Sequence, residues 1–106
     1  MTGRILNGYP MFFVYFLKLS NGDIYKGLTG DLERRWKEHA AGKVDSTKNY
    51  LPIRVIGYEA YTLRSDAERR EKFLKTTEGR RLLKQQYRDV LQRSKFSMRA
   101  EGWPSG

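Results

Sequence analysis

The chain contains no cysteine, which excludes a disulfide framework and any zinc site built from thiolates. This absence is typical of proteins in a reducing compartment, and we expect a cytoplasmic protein. Long hydrophobic runs are also lacking, because the apolar stretch over residues 11–17 ends at Lys18, well short of a membrane span. No small-residue cleavage site follows, so we interpret this stretch as a buried strand rather than an export signal.

Acidic residues are scarce relative to basic ones. Twenty-one Lys+Arg stand against twelve Asp+Glu, which gives a net charge of +9 and a pI near 10.0. This excess predicts a polyanionic partner, nucleic acid before a membrane surface; a merely soluble basic protein is the alternative. The 106 residues, 39% hydrophobic and 13% aromatic, are enough for one domain with a core, on a prior of roughly 100–200 residues per domain.

The strand pattern predicts three strands. Residues 1–10 carry no periodicity and are expected to form a loose leader. Residues 11–19 are apolar on both alternating sets, as in a strand covered on both faces. Residues 23–28 return after an Asn-Gly turn, and a third strand is expected at 53–61, after a polar loop. The domain itself is predicted to span 11–92, followed by a mobile basic tail at 93–106.

The length of the first turn decides how two tyrosines are related. A two-residue Asn-Gly turn would place Tyr15 and Tyr25 on opposite faces of the hairpin. A three-residue turn with Gly22 in the left-handed region places them on one face. If the tyrosines act together, the three-residue turn is required.

A first helix is predicted between Asp31 and Gly42, with Thr29 or Asp31 as its cap. At about 100° per residue, one set of side chains forms its buried stripe: Leu32, Trp36 and Ala40. Arg35 and His39 are expected together on the rim of this stripe. Arg34 and Glu38 are expected to point away.

A second helix is predicted from a capping box of Ser65 and Glu68. Its apolar face carries Ala67 and Leu74, and Glu71 lies on or beside that face. A carboxylate in such a place is costly unless it is paired or binds a cation. The alternatives are therefore a cation site and a structural ion pair, with Arg35 for instance.

A last helix is predicted at about 78–91, and it is strongly basic. Its cations can form a solvated face or a surface that follows phosphates. Together with two lysines elsewhere, they make up the candidate nucleic-acid-binding residues: Lys26, Lys48, Arg80, Arg81, Lys84 and Arg88.

Five positions in this order resemble the GIY-YIG endonuclease superfamily, in particular its small stand-alone members related to the nuclease domain of the bacterial excision-repair incision subunit. The positions are Tyr15 in Phe13-Val14-Tyr15, Tyr25 in Tyr25-Lys26-Gly27, Arg35, His39 and Glu71. The resemblance covers roughly residues 11–85. It implies an α+β fold, a three-stranded antiparallel sheet flanked by helices, and hydrolysis of phosphodiesters with one divalent metal ion, Mg²⁺ or Mn²⁺.

The resemblance also implies roles for these catalytic candidates. Tyr15 and Tyr25 would orient or activate the attacking water, Arg35 would bind the scissile phosphate, and Glu71 would be the metal ligand. Leu28 stands where the repair nuclease carries a lysine thought to help deprotonate the tyrosine, which favours His39 as the base while leaving the tyrosines as alternatives. A guanidinium and Mg²⁺ both stabilise the negative charge of a phosphodiester transition state.

We therefore predict a metal-dependent endonuclease that acts on DNA rather than RNA, and whose sequence specificity is low or is supplied by a partner protein. A non-catalytic nucleic-acid-binding module with the same fold is the main alternative. A protein-interaction domain that binds an acidic partner is the third. Cleavage that is lost with EDTA separates the first from the other two.

Overall fold

The computed structural model describes residues 5–6 and 9–93. A short hairpin pairs β1 (Ile5–Leu6) with β2 (Tyr9–Pro10) ahead of the main sheet, so the prediction of a leader without secondary structure is wrong at these residues. The predicted tail, apart from Arg93, lies outside the described residues, and the domain boundaries remain a prediction.

The main sheet has three antiparallel strands, as expected. β3 (Phe12–Lys18) lies in the middle, between β4 (Ile24–Thr29) and β5 (Arg54–Tyr61). β3 is buried on both faces because helices cover both, and it therefore has apolar residues at successive positions. Its register with β5 shifts by one residue between Phe16 and Leu17, which is a bulge that bends the sheet.

The turn between β3 and β4 has three residues, which confirms the longer alternative. Leu19 N–H donates to the Asp23 carbonyl at 2.8 Å, and Gly22 has a φ of +94°. Tyr15 pairs with Gly27, and Leu17 pairs with Tyr25. Since paired residues share a face, Tyr15 and Tyr25 emerge on the same face of the sheet.

Helices cover the two faces of the sheet unequally. α1 (Leu32–Ala40) packs through Leu32 and Trp36 on the face that carries Tyr15. α2 (Arg64–Leu74) and α3 (Thr77–Gln86) pack on the opposite face, where Leu74 and Leu83 meet Phe16. A one-turn helix, α4 (Arg88–Leu91), follows. The fold class is α+β, and no helix in residues 5–6 and 9–93 is long and apolar enough to cross a membrane.

Three local predictions about helices are wrong in detail. α2 begins at Arg64, and the capping box does not form, since Glu68 pairs with the Arg64 guanidinium at 3.0 Å. The predicted last helix is divided at Tyr87, whose ring packs against Phe16 at 5.4 Å and over Gly57, where a side chain would overlap it. In α1, Ala40 is exposed and His39 is buried instead.

α2 and α3 approach each other closely at one glycine. A methyl group at Gly79 would overlap the Phe73 carbonyl and the Leu74 backbone. Thr76 caps α3 by accepting from Gly79 N–H at 3.1 Å. Only glycine fits this contact, so the two helices are held at a fixed, short separation.

Candidate active site

Tyr15 is positioned by the glycine that faces it across the sheet. Its ring lies over Gly27, and a methyl group at Gly27 would overlap the phenol carbon and hydroxyl oxygen. Tyr15 is 4% exposed. The third residue of Tyr25-Lys26-Gly27 is therefore glycine for a physical reason, because the space above its Cα is occupied by the Tyr15 ring.

His39 lies under this tyrosine and is completely buried, with 0% exposure. Its Nε2 is 2.9 Å from the Tyr15 hydroxyl oxygen, and its Nδ1 is 2.8 Å from Thr47 Oγ1. The expectation that His39 lies on the helix rim is wrong. A spacing of four and then three residues places three side chains on one face of α1: Leu32, Trp36 and His39. The chain that follows the helix covers His39.

That covering segment is the loop after α1, which ends in a short 3₁₀ helix (Lys48–Tyr50). Val44 and Thr47 are buried, and the Val44 carbonyl accepts from Thr47 N–H at 3.1 Å. Ser20 N–H donates to the Tyr50 carbonyl at 2.9 Å, which ties the loop to the β3–β4 turn. Thr47 is a site residue that could not be found from the sequence, because it lies in a polar loop and no local pattern marks a threonine as the partner of a distant histidine.

Arg35 reaches the same hydroxyl from the helix side. Its Nε donates to the Tyr15 oxygen at 3.4 Å, and its Nη1 donates to Glu38 Oε1 at 2.8 Å. Glu38 was expected to point away, and this is wrong, since it is half-buried against Arg35. The Arg35 side chain is 38% exposed, so this ion pair adds little stability, but it fixes the direction of the guanidinium. Arg34 is exposed, as expected.

The electrostatics of the cluster keep its buried members neutral. Burial raises the pKa of Tyr15 to about 12, although the Arg35 hydrogen bond opposes the rise. Burial, and then the charge of Arg35, lower the pKa of His39 from 6.5 to about 4. The Glu38 and Tyr15 contacts raise the pKa of Arg35. At neutral pH the cluster therefore holds a phenol, an uncharged imidazole and one guanidinium.

Tyr25 completes the cluster from the edge strand. Its ring centroid is 5.1 Å from that of His39 and 6.2 Å from that of Tyr15. It is half-buried, whereas Tyr15 is enclosed. The structure thus brings four of the five predicted catalytic residues together, and Tyr25 and Arg35 are the members open to solvent.

Glu71 lies in α2, which packs on the face of the sheet opposite the one that carries Tyr15. Its carboxylate pairs with the Lys75 ammonium at 3.5 Å, and its side chain is 20% exposed. The alternative of an ion pair with Arg35 does not hold, because Arg35 pairs with Glu38. Within the described part of the chain, no three His, Cys, Asp or Glu side chains cluster as a metal cage. A single half-buried carboxylate fits Mg²⁺, which commonly takes one or two carboxylates and keeps several waters.

The candidate nucleic-acid-binding residues divide into two groups. Lys26, Arg80 and Lys84 line one cavity of about 370 Å³ between β4 and α3. The others do not line this cavity and have local partners: Lys48 is 3.4 Å from Asp45, Arg81 is 2.7 Å from Glu78, and Arg88 donates to the Gln85 carbonyl. The structure thus concentrates three of the six predicted cations at one place.

The fold and cluster define a small α+β domain with a tyrosine, histidine and arginine site on one face of its sheet, and residues 11–87 match the GIY-YIG catalytic domain. The chain therefore belongs to the GIY-YIG family, as its sequence motifs predicted. Nucleases of this family generally depend on a divalent metal.

Several UPF0213 proteins are similar to this chain. One from Haloquadratum walsbyi is 34% identical over 83 residues, which cover 76% of this chain and 93% of that protein. One from Listeria innocua is 42% identical over 60 residues, covering 56% of this chain and 67% of that protein. The solution NMR structure of a UPF0213 protein from Bacillus halodurans superposes with a TM-score of 0.50 at 28% identity, covering 81% of this chain and 99% of that one.

Proposed function

We propose that this protein is a divalent-metal-dependent endonuclease that hydrolyses phosphodiester bonds of nucleic acid. The observation that carries this proposal is the joined cluster of Tyr15, Tyr25, Arg35 and His39. Four residues from two strands and a helix meet within hydrogen-bond or ring-contact distance, in a chain of the GIY-YIG family. Simple packing would not require a histidine bonded at both nitrogens and a guanidinium aimed at the same hydroxyl.

Arg35 is assigned to the scissile phosphate. Its guanidinium is held by Glu38 and Tyr15 and is partly open to solvent, so it is oriented before a substrate arrives. A phosphodiester transition state concentrates negative charge on non-bridging oxygens. A pre-oriented cation stabilises that charge without reorganisation at the moment of reaction.

Tyr25 is assigned to the attacking water, because it is the more exposed of the two phenols. Tyr15 and His39 lie behind it and hold its surroundings in place. In the proposed network the Tyr15 hydroxyl donates to His39 Nε2 and accepts from Arg35. His39 then carries its proton on Nδ1 and donates it to Thr47 Oγ1. In this arrangement every polar atom of the network has a partner, and the imidazole lone pair faces the site. In this proposal the attacking water gives a proton to the Tyr25 hydroxyl, Tyr25 passes its own proton to Tyr15, and Tyr15 passes its proton to His39 Nε2. His39 is then the final proton acceptor, although its burial keeps it from the substrate.

Glu71 is assigned as the protein ligand of the metal ion, Mg²⁺ or Mn²⁺. When bound, the metal supplies positive charge to the phosphate oxygens of the transition state. Without the ion, the Lys75 ammonium compensates the negative charge of the Glu71 carboxylate. The carboxylate therefore has a positive partner both with and without the metal.

DNA is the proposed substrate rather than RNA, with low intrinsic specificity and action in the cytoplasm. The net charge of +9 supports a nucleic-acid substrate, and the similarity to the excision-repair nuclease domain supports DNA. A partner protein would supply any sequence preference.

The test is cleavage of labelled single-stranded, duplex and branched DNA, and of the matching RNAs, with Mg²⁺ and with EDTA. We expect Mg²⁺-dependent cleavage that Tyr25→Phe and Arg35→Gln each reduce at least a hundredfold, while Arg34→Gln, which removes an exposed charge one residue away, cuts like the wild type. Equal activity of the Arg34 and Arg35 variants would contradict the assignment. Binding that survives EDTA without cleavage would favour the binding module, and absence of both would favour a protein-interaction domain.

A further inference from the structure

The cavity of about 370 Å³ between β4 and α3 has a strongly basic lining. Its walls are Lys26 from the edge strand and Arg80 and Lys84 from α3, which we call the basic pocket. Arg80 and Lys84 are four residues apart, so both side chains leave the helix on one side. Leu83, between them in the chain, is buried in the core and closes the floor.

The charge of the three cations in the basic pocket is poorly balanced by the residues that the structure describes. None of them takes part in an ion pair with another residue of the described ranges, whereas most cations of the helices do: Arg34, Arg35, Lys37, Arg64, Arg69, Arg70, Lys75 and Arg81. Asp23 is the one carboxylate that lines the cavity. Like charges converge here, which is costly unless an anion is bound.

The environment of Lys26 shows the same imbalance. Burial lowers the pKa of its ammonium group, and the charges of Arg80, Lys75 and Lys84 lower it further, with Asp23 opposing them. An anion placed among the three cations would reverse this effect. Lys75 also contacts the Glu71 carboxylate at 3.5 Å, so one lysine joins the surroundings of the pocket to the proposed metal ligand.

We infer that the basic pocket binds one backbone phosphate of the nucleic-acid substrate, on the face of the sheet opposite the tyrosine cluster. This inference rests on the proposed function, because it assumes a nucleic-acid substrate. Tyr25 and Lys26 are neighbours on β4, an edge strand, and their side chains leave opposite faces. A strand of nucleic acid that crosses this edge contacts Tyr25 on one side and the basic pocket on the other.

The test is binding of the full chain to a fluorescent DNA duplex in EDTA, followed by anisotropy at several salt concentrations. Lys26→Gln, Arg80→Gln and Lys84→Gln should each weaken binding and lower the slope of log K against log salt by up to about 0.9, the value for the loss of one phosphate contact on duplex DNA. Arg69→Gln and Lys37→Gln are matched controls, since each removes one exposed, ion-paired cation. Each control therefore has the same net charge as a single pocket variant. They should leave the slope unchanged.

Combined variants decide whether one phosphate is bound. If the three cations share a phosphate, Arg80→Gln combined with Lys84→Gln should lower the slope by no more than about 0.9 in total. A loss that adds up across the pocket, or an equal loss in the controls, would overturn the inference and indicate a diffuse basic face. Saturation of the pocket by inorganic phosphate at concentrations that leave duplex binding unchanged would also overturn it, because the site would then hold free phosphate.

Cleavage measured in parallel separates this inference from the proposed function. The pocket variants should raise KM for the duplex with little change in kcat. A wild type that binds as described but does not cut would refute the nuclease and leave the pocket standing. A wild type that cuts, with an unchanged KM in Arg80→Gln and Lys84→Gln, would refute the pocket alone. Melting temperatures should match the wild type or exceed it, since repulsion is relieved.

Discussion

The buried His39 makes the stability of the protein depend on pH in a direction that can be worked out. Its pKa falls from 6.5 to about 4 on folding, so the unfolded chain binds a proton between these values that the folded chain does not. Stability is therefore complete above pH 6.5 and is lost as the pH falls toward 4. At about 1.4 kcal/mol per unit of pKa, the full loss is about 3 kcal/mol, of which about 2 kcal/mol should be gone at pH 5.

The assay uses the fact that the chain has one histidine. The Cε1–H resonance of this imidazole should titrate with a midpoint near 4 in the folded protein, and near 6.5 in 6 M guanidinium. Urea unfolding between pH 7.5 and 5 should show the loss of stability, and His39→Gln should reduce the slope against pH whatever its absolute stability. A midpoint near 6.5 in the folded protein, or equal slopes in both proteins, would refute the burial argument.

Three further outcomes follow from the site. Gly27→Ala should displace the Tyr15 ring and lower both the melting temperature and cleavage, whereas an active, stable variant would contradict the close contact seen over Gly27. Glu71→Gln should abolish Mg²⁺-dependent cleavage and leave metal-free thermal unfolding within about 1 kcal/mol of the wild type, because its partly exposed ion pair is weak; early melting with retained cleavage would count against the metal role. Thr47→Val leaves His39 Nδ1 without a partner and should cost about 1–3 kcal/mol in urea unfolding, while an unchanged stability would show that this hydrogen bond is dispensable.

The strands and the first turn could be predicted from the sequence because their signals are local. A continuous apolar run, an Asn-Gly pair and a glycine suited to positive φ located the strands and the turn and left two turn lengths open, of which the three-residue turn places Tyr15 and Tyr25 together. The cap of α1 was equally local, with Asp31 accepting from Arg34 N–H at 3.2 Å. Such features depend on residues a few positions apart.

The burial of His39 could not be predicted in this way. Helical periodicity places it near the apolar face, but the loop that covers it arrives from eight residues further on, and Thr47 satisfies a nitrogen that would otherwise need water. Helical spacing alone therefore assigned the last buried position to Ala40 and left His39 on the rim. The break at Tyr87 has a similar cause, since its ring packs on Phe16, far away in the sequence.

The close contact at Gly79 limits how far α2 and α3 can move relative to each other. α2 carries Glu71 and α3 carries two cations of the basic pocket, and the two helices cannot separate or slide without losing the contact with the Phe73 carbonyl. A metal at Glu71 and a phosphate in the pocket would keep one spacing through every turnover. The distance between such a metal and the phosphate held in the basic pocket would then be the same for every base sequence of the substrate.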